Sequence, residues 1–168
     1  MIYLRQATLS DVSAIVPIIN DAKKFLSGFD TDQWQGNYPA RSDIERFINN
    51  KEGYVLIVDD EVAGFSALIA GEDKAYTTIE NGDWTNDNFA YIAVHCIAFS
   101  DKYRGLGLAT SLFTAVFTLG YERGIKDFRV DTHPNNKIMQ HVFEREGFVR
   151  RGDVTISDGA RWAYQLEL

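Results

Sequence analysis

The stretch Tyr91–Leu112, YIAVHCIAFSDKYRGLGLATSL, constrains the fold more than any other part of the chain. An apolar run with strand character, Tyr91–Phe99, leads into Arg104-Gly105-Leu106-Gly107-Leu108-Ala109 and then into a helical pattern. Glycine at 105 and 107 lets the backbone turn tightly and present amide N–H groups with no side chain in the way. A helix starting directly behind adds the unpaired amides of its first turn and the positive end of its dipole. Such a turn suits a phosphorylated ligand, although the same pattern also serves as a plain strand-to-helix connection. Two familiar phosphate motifs are excluded. The turn has no Gly-Lys-Ser/Thr ending, and Thr110 stands where the dinucleotide fingerprint needs its third glycine. What remains is Arg-x-x-Gly-x-Ala, in which Arg104 reads either as a planar cation beside a phosphate or as a solvated surface arginine.

A chain of 168 residues suits one domain, spanning 1–168, with room for a proper hydrophobic core. Its 45% hydrophobic content and 13 glycines are ordinary for a globular protein. No apolar run reaches membrane-spanning length, and the start is too polar for a signal peptide. The one cysteine, Cys96, cannot form an internal disulfide, which points to a reducing cytoplasm. A net charge of -7 argues against nucleic acid as a partner and tolerates a cationic one, such as an amine.

Hydrophobic periodicity gives the element order. Ile2–Arg5 reads as a strand. A helix capped at Ser10-Asp11 runs to about Phe25, and Ser27–Ala40 reads as a loop. A second helix begins at a Ser42 cap. Tyr54–Val58 and Val62–Ala70 make a hairpin about Asp59-Asp60, and the polar and aromatic Glu72–Asn88 reads as a long loop of the functional kind. The strand Tyr91–Phe99, a helix Leu108–Arg123, a strand Phe128–Thr132 and a helix Asn136–Glu146 stopped by Gly147 follow. A closing hairpin, Val149–Ser157 with Arg161–Leu168, turns about Asp158-Gly159. Strands with helices between them predict an α/β or α+β sandwich.

The Arg-x-x-Gly-x-Ala turn in its strand–turn–helix setting resembles the acyl-CoA pyrophosphate loop of the GNAT superfamily of N-acetyltransferases. Three further segments resemble that family in the right order: Ile2–Ala7 with Asp11 and Ile15, the Val55–Ala70 hairpin, and Asn135-Asn136 through Glu144-Arg145-Glu146-Gly147-Phe148. The resemblance implies a mixed, mostly antiparallel central sheet flanked by helices. It also implies acetyl-CoA as the acyl donor, no metal, and direct transfer to the amine of a small molecule or peptide. A homodimer is compatible with it. The backbone of Ile97–Phe99 would pair with the pantetheine arm, the amides of Gly105, Gly107, Leu108 and Ala109 would hold the phosphates beside Arg104, and Asn136 would bond the cofactor. Asn136 also reads as a helix cap, and Asn135 could exchange roles with it.

Acetyl transfer needs a base for the incoming ammonium. His95 lies two residues before Ile97, so strict alternation puts both on one face and Cys96 on the other. An imidazole titrating near ~6.5 suits the task; a buried, hydrogen-bonded core histidine is the equal alternative. Tyr91 shares that parity and occupies a place where relatives carry a carboxylate, while Glu80 and Asp83 are backups acting through water. The Asp131-x-His133-Pro134 sequence reads as an ordinary helix start. His95, His133 and His141 match no metal-ligand spacing. Cys96 reads as a small core residue. Phe143 replaces the tyrosine that many relatives use to protonate the departing thiolate. Either Tyr164, Tyr103 or water supplies that proton, or CoA leaves unaided. A non-catalytic acyl-CoA-binding module of the same fold is therefore the alternative. Asp30, Asp32, Trp34 and Tyr38, with Tyr76, Glu80, Asp83 and Trp84, offer carboxylates and aromatics for a cationic acceptor.

Overall fold

In the computed structural model, which describes residues 1–157 and 159–168, the chain runs β1 (Ile2–Gln6), α1 (Val12–Leu26), α2 (Arg41–Asn49), β2 (Gly53–Val58), β3 (Glu61–Ala70), β4 (Tyr91–Phe99), α3 (Leu108–Glu122), β5 (Asp127–Thr132), α4 (Lys137–Arg145), β6 (Val149–Ile156) and β7 (Gly159–Glu167). Asp158, half of the expected last turn, lies outside the described residues. The strands form one sheet in the order β1-β2-β3-β4-β5-β7-β6. Neighbours are antiparallel except β4 and β5, which run parallel and enclose α3 as their crossover. The mixed, mostly antiparallel sheet flanked by helices is the architecture expected from the sequence.

Each element follows from local chemistry. In the β2–β3 hairpin, Asp59 and Asp60 both take positive φ (46° and 69°), the backbone a tight two-residue hairpin turn requires. Ile15, Ile18 and Ile19 give α1 a buried stripe. Asp11 ties the start of that helix to β1: its carboxylate accepts the Thr8 N–H at 2.8 Å and takes the Arg5 guanidinium at 2.8 and 2.9 Å. Ser42 does not cap α2. The cap is Ala40, whose N–H is held by the Asp43 carboxylate at 2.8 Å, because an acid three residues on can reach back to that amide whereas Ser42 already sits inside the first turn.

Two apolar layers sandwich the sheet. On one side Ile15, Ile19, Ile44 and Phe47 of α1 and α2 pack on Val55, Ile57, Phe65 and Ala67. On the other, Leu112, Phe113 and Val116 of α3 with Phe143 of α4 pack on Ile92, Val94, Phe128 and Tyr164. The Glu72–Asn88 segment is less of a loop than its composition implied. A short 3-10 turn, Lys74–Tyr76, buries Tyr76, and Glu80 and Asp153 exchange backbone hydrogen bonds at 2.8 and 2.7 Å. That approach needs glycine, since a Cβ on Gly82 would lie 1.8 Å from the Arg151 carbonyl oxygen. Among the described residues no helix is long and apolar enough to cross a membrane.

The expected alternation along β4 fails. Ala67 of β3 faces His95, but Phe65 faces Ala98, so Ser66 alone spans Cys96 and Ile97. Cys96 takes φ 54° in this β-bulge. The extra residue resets the pleat: Cys96 joins the α1 layer on the side of His95's partner Ala67, and Ile97 turns to the α3 layer. His95 and Ile97 therefore do not share a face, and Cys96 does not oppose His95. Residue order alone cannot reveal a bulge, because period-2 reasoning assumes its absence.

Candidate active site

The parallel pairing of β4 and β5 lasts only from Tyr91, Ile92 and Ala93 to Asp127, Phe128 and Arg129. Beyond Ala93 the strands part, and the β5-side edge of β4 opens into a cleft of about 660 Å³. Its lining joins His95–Phe99 of β4 with Ser100 after it, Arg104, Gly105, Gly107, Leu108 and Ala109 of the turn, Asp131 and Thr132 of β5, and Asn136, Phe143 and Arg145 around α4. Phe25, Trp34 and Tyr38 complete the wall from the α1 side.

At one end the glycine turn behaves as its sequence demands. Gly105 and Gly107 take φ 85° and 66°, and Gly107 is the cap residue of α3. The first-turn amides of Leu108 and Ala109 have no carbonyl behind them and face the cleft end with the helix dipole. Arg104 stands at the rim, largely exposed, bonded to Asp101 at 2.6 Å. Asn136 is buried, caps α4 by accepting the Met139 N–H at 3.1 Å, and still lines the cleft. Asn135 instead donates to the Asp30 carbonyl at 2.7 Å.

His95 lies farther down the cleft with 16% of its side chain exposed. Its Nε2 stands 2.6 Å from Asp73 Oδ2 and its Nδ1 3.8 Å from Asp131 Oδ1. Tyr76 stacks on the imidazole, ring centroids 5.4 Å apart, and donates its hydroxyl to Asp131 at 2.6 Å. Burial alone would lower the His95 pKa, but the Asp73 hydrogen bond and the charges of Asp131 and Asp73 outweigh it, and the net movement is upward. Asp73 is held below its usual range: burial opposes this, and the hydrogen bond and charge of His95 win.

Tyr91 does not line the cleft: it is buried under the Arg129 guanidinium, 3.9 Å above its ring, and its hydroxyl accepts the Asp73 N–H at 2.8 Å. Glu80 and Asp83 also lie outside the lining. The Asp-x-His-Pro segment divides. His133 Nδ1 accepts the Asn135 N–H at 3.0 Å as part of a helix start, whereas Asp131 faces the cleft. Burial pushes the Cys96 thiol up to about 12, so it is no nucleophile even on the side of His95. Phe143 packs against Phe113, Phe148 and Tyr164. Tyr164 lies beneath it, with a buried hydroxyl that has no hydrogen-bond partner among the described residues. Asp73 and Tyr76 escape a reading for catalysis because both reach the site from a segment distant in sequence.

The model of the acetyltransferase (GNAT) family matches residues 19–148. A GNAT family acetyltransferase from Streptococcus agalactiae superposes with a TM-score of 0.92 at 34% identity, over 99% of this chain and 95% of that one. An aminoglycoside N(6')-acetyltransferase type 1 from Salmonella typhimurium is 26% identical over 124 residues, covering 70% of this chain and 83% of the relative. At the level of fold, the structure of AAC(6')-Ib in complex with ribostamycin and coenzyme A matches 99% of this chain and 93% of that one, with a TM-score of 0.72 and 20% identity. The chain belongs to the GNAT family of acetyltransferases and is an acyltransferase.

Proposed function

We propose that this chain, as one domain working in the cytoplasm, moves the acetyl group of acetyl-CoA directly to a primary amine of a small molecule. One observation carries the reading: β4 is unpaired toward β5 beyond Ala93, so its polar backbone edge runs through the cleft from His95 toward the glycine turn. A pantetheine arm laid along that edge would find backbone partners at Ile97–Phe99. Its pyrophosphate would meet the amides of Gly105, Gly107, Leu108 and Ala109, with Arg104 adding charge at the rim. Asn136 would hold the arm from the α4 side.

The acceptor enters as an ammonium, which cannot attack. His95 takes one proton, the amine lone pair forms the C–N bond at the thioester carbonyl, the C–S bond breaks to release CoA thiolate, and the second N–H proton passes to that thiolate or to water, leaving the neutral amide. A free thiol has a pKa near ~8.5, so departure without an acid at Phe143 is chemically tolerable. The aminoglycoside N(6')-acetyltransferase likeness and the Asp131 carboxylate in the cleft lining support a cationic small-molecule acceptor. The test is thiol release from acetyl-CoA over a panel of amines beginning with ribostamycin, with the acetylated product identified by mass. Transfer to at least one amine is expected. Cofactor binding with no thiol release across the panel would favour the acyl-CoA-binding module instead.

A further inference from the structure

We propose that Asp73 is the positioning residue of His95: its carboxylate fixes the imidazole with Nε2–H turned into the protein and Nδ1 turned toward the acceptor. This rests on reading the cleft as an acetyl-transfer site. Asp73 follows β3 in the Glu72–Asn88 segment, and every polar group it could swing with is tethered. Its Oδ2 faces His95 Nε2 at 2.6 Å, its Oδ1 accepts the Ala75 N–H at 2.9 Å, and its own N–H donates to the Tyr91 hydroxyl at 2.8 Å. Tyr76 covers a face of the ring. A carboxylate accepts but never donates, so the neutral imidazole must carry its proton on Nε2 and its lone pair on Nδ1.

The Nδ1 edge is the open one. Asp131, on that side, lines the cleft, and Asp73 does not. The 3.8 Å from Nδ1 to Asp131 Oδ1 is too long for a hydrogen bond, so the lone pair stays available. The charged and titratable groups acting on His95 are Asp73 and Tyr76 from the segment after β3, Asp131 from β5, and Glu52 ahead of β2. When an ammonium gives its proton to Nδ1, the imidazolium that forms lies between the carboxylates of Asp73 and Asp131, and Asp73 stays deprotonated throughout. Tyr91 enters the site through this chain: it holds Asp73, and Asp73 holds His95.

Asp73→Asn separates positioning from mere structure. The fixed Ala75 N–H keeps the Asn carbonyl where Oδ1 was, which preserves the cap. The Asn amide then points N–H groups at Nε2, donor against donor, and the imidazole must move its proton to Nδ1. Long-range proton–nitrogen NMR of the histidine rings, with His95 assigned by loss of its signal in His95→Gln, reads this directly. The parent should show the Nε2–H form and titrate above the ordinary value of about 6.5. Asp73→Asn should show the Nδ1–H form, with the midpoint lower by about one pH unit. Tyr76→Phe, which leaves Asp73 in place, should keep the parent tautomer. An Nδ1–H form in the parent, or an unchanged tautomer and midpoint in Asp73→Asn, would overturn the proposal. In parallel, thiol release by Asp73→Asn should fall about 100-fold in kcat at unchanged acetyl-CoA affinity. A parent that acetylates no amine would sink the acetyl-transfer reading, while the tautomer would still decide the Asp73–His95 pair.

Discussion

His95 and Arg104 show how differently two site residues can depend on their surroundings. His95 is held between two carboxylates, so its neutral, proton-accepting form is populated only as pH rises past a pKa above 6.5. Accordingly kcat/KM for acetyl transfer should rise with pH through that value. His95→Gln should erase this acid limb and lower kcat by about 10²–10⁴-fold, with acetyl-CoA affinity unchanged. A variant that keeps the limb would assign it to another group. Arg104 is exposed and already bonded to Asp101. Its removal should weaken acetyl-CoA binding less than about tenfold, as expected for a screened surface charge. Measuring the Kd of Arg104→Ala by titration calorimetry checks this, and a loss beyond a hundredfold would mean that the guanidinium leaves Asp101 to clasp phosphate.

Two joints between elements carry the scaffold under the cleft. The first joins β1 to α1. Asp11 has its pKa lowered from 3.8 to about 2, chiefly by the Arg5 hydrogen bond acting against burial, with help from Thr8. A carboxylate depressed in the folded state adds stability above its unfolded pKa and loses it as pH falls through the folded one. The pair should therefore contribute about 1–2 kcal/mol near neutrality, discounted because Arg5 is partly exposed, and the contribution should vanish between about pH 4 and 2. Urea unfolding of Arg5→Ala should show a deficit at pH 7 that closes at pH 2; a deficit independent of pH would locate the loss in packing. The second joint is α4 against α3 and the sheet, made by the Phe143 ring among Phe113, Phe148 and Tyr164 at 6.1, 5.8 and 5.5 Å. Phe143→Ala should cost about 3–5 kcal/mol by the same assay. A loss under about 1 kcal/mol would show that the layer collapses around the gap.

At the scale of the whole molecule, the parts legible in the sequence are those set by neighbours in the chain. Glycine at 105 and 107, the Asp59-Asp60 turn, the Gly147 stop and the apolar stripes each depend on a few adjacent residues, and the mixed, mostly antiparallel architecture followed from the resemblance they carried. What sequence could not yield depends on distant partners. Asp73 meets His95 across 22 positions and Tyr76 meets Asp131 across 55. The bulge at Cys96 moved Ile97 to the other layer, and the parting of β4 from β5 that makes the cleft has no local signature. Binding at that parting is the central claim. Titration calorimetry of acetyl-CoA against the parent and against Gly107→Glu tests it most directly, because a glutamate there brings strain at φ 66° and a negative charge at the helix N-terminus. One site per chain on the parent and none on the variant, with both folded, is the predicted result. Equal affinity for both, or no binding to the parent, would contradict it.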